Sequence, residues 1–423
     1  MGPWELISLE KARQLSVSCV ADCRRQSETV GLREAMGRVA AVDFVSTEDN
    51  PPFDRSTVDG FALRSSDVTT ASLDHPAALA VVGEVRMGSP AGEKVLQGQA
   101  VRIPTGGMLP AGADAVVMQE DTRLPGTESV LVLRPVPAGS NLIRRGDDAL
   151  AGSVVVRAGQ RILVPDLGVL ASCGVAQVAV VKKPVVAIVT TGDEIIPPGV
   201  VPKPGQIRDV NSFTLAALAE AAGCEVRLME QTPDSQASLV SVLQTALNDS
   251  DVILISGGSS VGDRDFTTTA VQALPGVKIM FHGVALKPGK PTLMAKVGKT
   301  VIFGVPGHTV AAMTVFQEIV EPALLALQGL TYTAPVFVIH AKLAASMLPD
   351  AERDEIFRVQ LEPSGDEILA RPLPAKSGLI TVMTRAHGMV YAKAGQREMQ
   401  AGEIVEVRIL TDRVQGNWQG VLR

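Results

Sequence analysis

The sequence predicts a multidomain α/β protein, with a central doubly wound α/β domain, two small β-domains and a helical or mixed linker domain. Apolar runs suited to buried parallel strands alternate with helix-period segments between residues 183 and 330. Short strand-like runs between Gly and Pro turns fill residues 46–146 and return after 331. The chain's 423 residues, 46% of them hydrophobic, also exceed what a single core of ordinary size uses.

From Ser8 to Val45 the pattern is helical. Leu9, Ala12, Leu15 and Cys19 fall at three- and four-residue steps, and Leu32, Ala35, Met36 and Val39 repeat the spacing. At Asn50-Pro51-Pro52 the period ends, because proline bars the preceding residue from the helical region. The runs LAVVGEV, QAVRIP, DAVVMQED and SVLVLRP then make a β-domain over 46–146. Residues 147–182 return to mixed character and are grouped with 1–45 as one split domain. Within them Leu167 to Val181 is the longest apolar stretch, but Ser172, Gly174 and Gln177 interrupt it and it is too short to span a bilayer.

After Lys182-Lys183-Pro184, VVAIVT reads as a strand covered on both faces. A helix at Ser212 to Ala222, the run EVRLME, a helix at Ser235 to Leu247 and the strand DVILIS follow. A Gly-rich loop leads to a helix from Phe266, then to KIMFHGV, TLMAK and TVIFGV. The last helix, Gly307 to Leu327, carries Val310, Met313, Gln317, Val320 and Leu324 on one stripe. Beyond Gly329, APVFVIHAKLA, EIFRVQLE, EILARPL, GMVYAKA and EIVEVRIL make a C-terminal β-barrel or sandwich over 331–423.

Composition narrows the function. Lys+Arg number 39 against 45 Asp+Glu, and aromatics are 3%, which argues against a nucleic-acid coat. The opening MGPWELISLEKAR has no basic leader or apolar core of a signal peptide, so a cytoplasmic protein is expected. Cys19, Cys23, Cys173 and Cys224 form no CxxC pair and read as buried reduced thiols. The histidines are scattered. A metal site is therefore expected from carboxylates, which suits Mg²⁺.

Ligands of open α/β sheets bind beyond the carboxyl ends of the strands. Three polar loops fall there: Thr190-Thr191-Gly192-Asp193-Glu194, Ser256-Gly257-Gly258-Ser259-Ser260-Val261-Gly262, and Val305-Pro306-Gly307-His308. Their glycines let backbone N–H groups approach an anion, and no Walker A pattern follows. Asp193, Glu194, Asp209, Asp263 and Asp265 cluster near this rim, as a Mg²⁺-assisted phosphoryl reaction requires. On local grounds Asp209 is equally an N-cap of the helix starting at Asn211, and Asp263 reads as solvated. Lys287-Pro288-Gly289-Lys290-Pro291 sets two ammonium groups on a stiff turn suited to an oxyanion, though lysines on a turn more often only solubilise. Pro51 to Ala62 and Pro104-Thr105-Gly106-Gly107 read first as turns.

Together PPFDRSTVDGFAL, RIPTGG, GADAVVMQED, NLIRRGDD, TTGDEI, GQIRDVN, SGGSSVGDRDF, LKPGKP and GVPGH, in this order, resemble the molybdopterin molybdenumtransferase family (MoeA and the E domain of gephyrin). The resemblance spans nearly the whole chain. It implies an elongated homodimer whose α/β domain is similar to MogA, the enzyme that adenylylates molybdopterin. It also implies a reaction of adenylylated molybdopterin with molybdate that gives molybdenum cofactor and AMP, with Mg²⁺ as cofactor. By motif match, Asp59, Thr105, Glu194 and Asp265 take catalytic roles, and Glu194, Asp265 and Asp209 the metal. Ser256, Gly257, Gly258, Gly262, Lys287, Lys290, Pro306, Gly307, Asp148 and Asp209 bind substrate. Asp59 and Thr105 are implied to come from the partner subunit, and molybdoenzymes or the adenylyltransferase are the further partners implied.

This chain departs from the family pattern in places. Pro306-Gly307-His308-Thr309-Val310-Ala311 stands where Pro-Gly-Asn-Pro-Val-Ser is usual. Arg208 replaces an aromatic residue, Arg55 a small amide and Asp147 a glutamate. His308 at a helix start reads as a neutral capping residue, or as an anion contact when protonated. Two alternatives stay open, a tungstate-preferring paralogue and a non-catalytic pterin carrier or scaffold.

Overall fold

The structure, a computed structural model, describes residues 6–21, 26–92, 94–228, 231–257, 266–331, 337–374 and 376–410. The chain divides into two compact units, one of Met1–Glu28 with Val181–Arg423 and one of Thr29–Val180.

The first unit is built on the strands β1 (Val185–Thr190), β2 (Glu225–Leu228), β3 (Val252–Ser256), β4 (Val277–His282), β5 (Leu293–Val297) and β6 (Thr300–Val305). They form one six-stranded sheet in the order β2-β1-β3-β6-β5-β4. The first four in that order run parallel, and β5 pairs antiparallel with β6 on one side and β4 on the other. Five helices cover it: α1 (Leu9–Ala21), α2 (Asn211–Ala221), α3 (Gln236–Ala246), α4 (Phe266–Gln272) and α5 (Thr309–Gln328). Alternate residues of each central strand serve opposite layers. Val186, Ile188, Leu254 and Phe303 pack with α1, α2 and α5. Ala187, Val189, Ile253 and Ile302 pack with α3 and α4. A strand apolar at all but its last position, as VVAIVT is, needs such double cover. The chain leaves β1 through α2 to β2 on one side, then returns through α3 to β3 on the other. That reversal opens a crevice at the carboxyl ends of β1 and β3.

The same unit continues into β7 (Val338–Leu343), β8 (Asp354–Ser364), β9 (Glu367–Pro372), β10 (Gly388–Ala392) and β11 (Ile404–Ile409). Their order, β8-β9-β7-β11-β10, is closed by pairing of β8 with β10, so the strands form a small barrel around Leu343, Val359, Ala370, Val390 and Val407. The strand Leu286–Lys287 adds to the outer edge of β8 in parallel.

In the second unit a six-stranded sheet runs Ala115–Met118, Gly60–Leu63, Gln99–Ile103, Ala77–Glu84, Ser129–Val132 and Thr122–Arg123. A separate core joins Ala35 and Ala40 to Val156, Ile162, Leu170 and Val178. Leu170 lies on the helix Val164–Ser172 and Val178 on the strand Gln177–Val181, which divide the apolar stretch from Leu167 to Val181 between them.

Several expectations need correction. The grouping of residues 1–45 with 147–182 fails at its start, because α1 buries Leu9, Ala12, Cys19 and Val20 in the α/β core. The second helical spacing makes only one 3₁₀ turn, Leu32–Ala35. Gly37 then takes φ +75°, and Val39 and Ala40 bridge to Arg161 and Val180 as extended chain. Gly60–Leu63, read within a turn, is instead a fully buried strand, and a Cβ on Gly60 would stand 1.8 Å from the Val117 carbonyl oxygen.

The stripe assigned to α5 is also too narrow. Met313 and Gln317 are half-buried, whereas Thr314, Phe316 and Glu318 are buried. The helix is long and apolar enough to cross a membrane by length and composition, yet 67% of its 18-residue apolar window is buried within the protein, as in a core helix. Cys19, Cys173 and Cys224 are buried, and Cys23 lies outside the described residues.

Candidate active site

Thr190, Ser256 and Val305 stand in register at the ends of β1, β3 and β6, so the loops that follow leave side by side. Gly257 has φ +111°, and a Cβ there would meet the Thr191 carbonyl oxygen at 2.0 Å. Only glycine allows that approach. Asn211, at the first position of α2, ties the loops together. Its Nδ2 donates to Ser256 Oγ at 2.7 Å and to the Gly307 carbonyl at 2.7 Å. The side chain is 8% exposed and its Oδ1 is buried without a hydrogen-bond partner. Ser256 and Gly307, both expected at a substrate, are thus brought together, with Pro306 buried beside them. Gly258, Gly262, Asp263 and Asp265 lie outside the described residues.

The carboxylates are less convergent. Asp209 Oδ1 accepts from the Ser212 N–H at 3.1 Å, which is the helix-capping role that competed with metal binding. Replacing Asp209 by Ala is expected to cost about 1 kcal/mol in urea unfolding, and Asp209→Ser much less. A metal-ligand role alone predicts no such loss in metal-free buffer. Glu194 is exposed, and it precedes the short parallel pairing of Ile195–Ile196 with Ile207–Arg208, whereas Asp209 follows it. Among the described residues no three His, Cys, Asp or Glu side chains form a group that could hold a metal ion.

Cationic groups converge elsewhere in the first unit. Lys287, Arg358 and Lys376 line one cleft, together with Val310 and Leu373. Lys287 Nζ lies 3.1 Å from Glu355 Oε1 and 3.7 Å from Asp350 Oδ2, so its ammonium is held in place by carboxylates. The Arg353 hydrogen bond, with Lys287 adding its field, holds Asp350 down to about 2. Arg358 is 5% exposed. Its guanidinium donates to the Ile356 carbonyl at 3.1 Å and to Thr314 Oγ1, while Nε has no partner. Burial pulls Arg358 down to about 10, against the neighbouring Tyr391 and Glu318, and it stays cationic at neutral pH. Lys290 is half-buried and does not line this cleft; its carbonyl accepts from Val284 and Thr292.

Sequence reasoning missed Arg358. The available signal was a charged residue within the apolar alternation of EIFRVQLE. His308, expected as a cap, makes no side-chain bond to its helix. Its Nδ1 lies 2.8 Å from Ser377 Oγ, and Val310 N–H donates to the Ser377 carbonyl. His308 thereby fastens the turn that carries Lys376.

In the second unit Asp59 and Thr105 meet. Asp59 Oδ1 accepts from the Thr105 N–H at 2.7 Å and its hydroxyl at 3.1 Å, and both residues are exposed. Asp148 accepts from Asn50 Nδ2 at 2.7 Å. Asp147, where a longer glutamate is usual, accepts from the Arg144 N–H at 2.7 Å and closes its own turn.

Comparison with known proteins agrees with this layout. Residues 7–174 match the family described as "MoeA N-terminal region (domain I and II)". Residues 187–326 match "Probable molybdopterin binding domain", and 340–410 match "MoeA C-terminal region (domain IV)". The chain is 33% identical over 390 residues to a molybdopterin molybdenumtransferase of Staphylococcus aureus (strain MSSA476), covering 91% of each protein. It is 36% identical over 305 residues to the Haemophilus influenzae molybdopterin molybdenumtransferase, covering 72% of this chain and 74% of that one. Among solved structures, the molybdopterin biosynthesis moeA protein of Pyrococcus horikoshii OT3 aligns with TM-score 0.81 and 31% identity, over 96% of this chain and 100% of that one. The chain therefore belongs to the MoeA family, the molybdopterin molybdenumtransferases.

Proposed function

We propose that this protein inserts molybdenum into molybdopterin, using adenylylated molybdopterin and molybdate and releasing AMP. The cleft of Lys287, Arg358 and Lys376 carries the reading. Both substrates are anions and the chain has net charge -6, so attraction must come from local cations. A buried guanidinium beside two lysines supplies it, and weak hydration suits Arg358 to an oxyanion. The crevice at the ends of β1, β3 and β6, where Asn211 holds Ser256 and Gly307 together, is where a phosphate or pterin would lie. Glu355 and Asp350 fix the Lys287 ammonium at the cleft, and the buried side chains around Arg358 keep water from its inner face.

The reading includes a cytoplasmic homodimer in which Asp59 and Thr105 act from the partner subunit. Mg²⁺ belongs to it, with Glu194, Asp209 and Asp265 as its ligands. Purified protein is expected to release AMP over many turnovers from adenylylated molybdopterin only when molybdate or tungstate is supplied. Rates with the two oxyanions measure the preference. Bound substrate with no AMP release would make the protein a carrier and end the transferase reading.

A further inference from the structure

We propose that Glu318 is a positioning residue for oxyanion binding, acting through Tyr391 and Thr314 on the seat of Arg358. The inference rests on the cleft being the oxyanion site. It starts from a buried ionic group that the proposed reaction does not itself use. Glu318 is 3% exposed and sits in a π-helical turn, Phe316–Val320, within α5. Such turns inside helices occur frequently at functional sites.

Both carboxylate oxygens of Glu318 are engaged. One is held by the Arg13 guanidinium of α1 and the other by the Tyr391 hydroxyl of β10. Arg13 Nε also donates to the Glu318 carbonyl at 3.0 Å. Arg408 lies 3.8 Å over the Tyr391 ring and fixes it from the barrel side. Val315, Phe316, Ile319, Ile356 and Met389 surround this seam, where apolar side chains would pack without the cost of burying charge. A buried ionic group is weak evidence for stability, and its best-attested use is to set register.

Strand register shows what is set. Ile356 pairs with Tyr391 and Arg358 with Met389 across β8 and β10, so all four share the sheet face turned to α5. Arg358 is tied to α5 by Thr314, one turn before Glu318, and Thr314 Oγ1 donates in turn to the Val310 carbonyl. Two bonds thus clamp this barrel face to α5. Tyr391–Glu318 fixes β10, and Arg358–Thr314 fixes β8. The first sets the position from which the second presents Arg358 to the cleft.

The test is calorimetric titration of the full chain with molybdate, which needs no turnover. Glu318→Gln keeps the shape and removes the charge; it is expected to weaken molybdate binding about tenfold, and Arg358→Lys at least as much. The double variant is expected to bind no worse than Arg358→Lys alone, because Glu318 acts through that residue. Tyr391→Phe, which removes one hydroxyl, carries the same test if Glu318→Gln does not fold. Unchanged affinity in Glu318→Gln, or additive losses in the double variant, overturns the positioning role while leaving the cleft intact. Unchanged affinity in Arg358→Lys overturns the cleft reading and this inference together.

Discussion

Replacing Gly257 by Ala is expected to destabilise the protein by about 3 kcal/mol or more and to remove substrate binding at the β1–β3 crevice. The reason is backbone against backbone. A Cβ at this position would lie 2.0 Å from the Thr191 carbonyl oxygen and 3.1 Å from its carbon, and neither atom can swing aside as a side chain can. The φ of +111° adds strain for any residue with a Cβ. Relief requires β1 and β3 to part at their ends, where Asn211 holds Ser256 and Gly307.

Gly276 gives the control. It has φ +72° but nothing within 4 Å of its Cβ position, so Gly276→Ala is expected to cost only about 1–2 kcal/mol. Urea unfolding of both variants measures the difference, and equal losses would show that the Thr191 approach carries no weight. Pterin binding by Gly257→Ala should fall below detection, whereas Gly276→Ala retains it.

The α/β layer was legible because its strands are short, apolar along their middle and separated by amphipathic helices. VVAIVT and DVILIS could not be half-exposed strands. The barrel's strands were legible from alternation, but its closure through β8 and β10 was not, since register between distant strands leaves no local trace. The 32–39 segment failed for a related reason. Three- and four-residue spacing there serves a turn followed by extended chain, and pairing with Arg161 and Val180 overrides it.

What depends on long-range partners was hidden from the sequence. Asp59 and Thr105 are far apart in sequence, and only the motif resemblance joined them. Asn211 is 45 residues from Ser256 and 96 from Gly307, and it looked like an ordinary helix start. Arg358 and Glu318 each resembled a surface charge until their burial was known.

Mixing two inactive variants, Asp59→Asn and Arg358→Met, is expected to restore about a quarter of the wild-type rate of AMP release. Each variant should be inactive alone for a separate reason. Asparagine at 59 still accepts from the Thr105 N–H and hydroxyl, so the turn survives and only the charge is lost. Methionine at 358 removes the buried guanidinium, and Thr314 keeps its bond to the Val310 carbonyl. If each site joins Asp59 of one subunit to Arg358 of the other, a mixed dimer has one site with both lesions and one with neither. Random re-pairing makes about half the dimers mixed, so about a quarter of all sites are intact. If both residues act within one chain, every site keeps a lesion and nothing returns. The absence of rescue, with subunit exchange demonstrated by tagged chains, would remove the composite site and leave the cleft of Lys287 and Arg358 to work with groups of its own subunit.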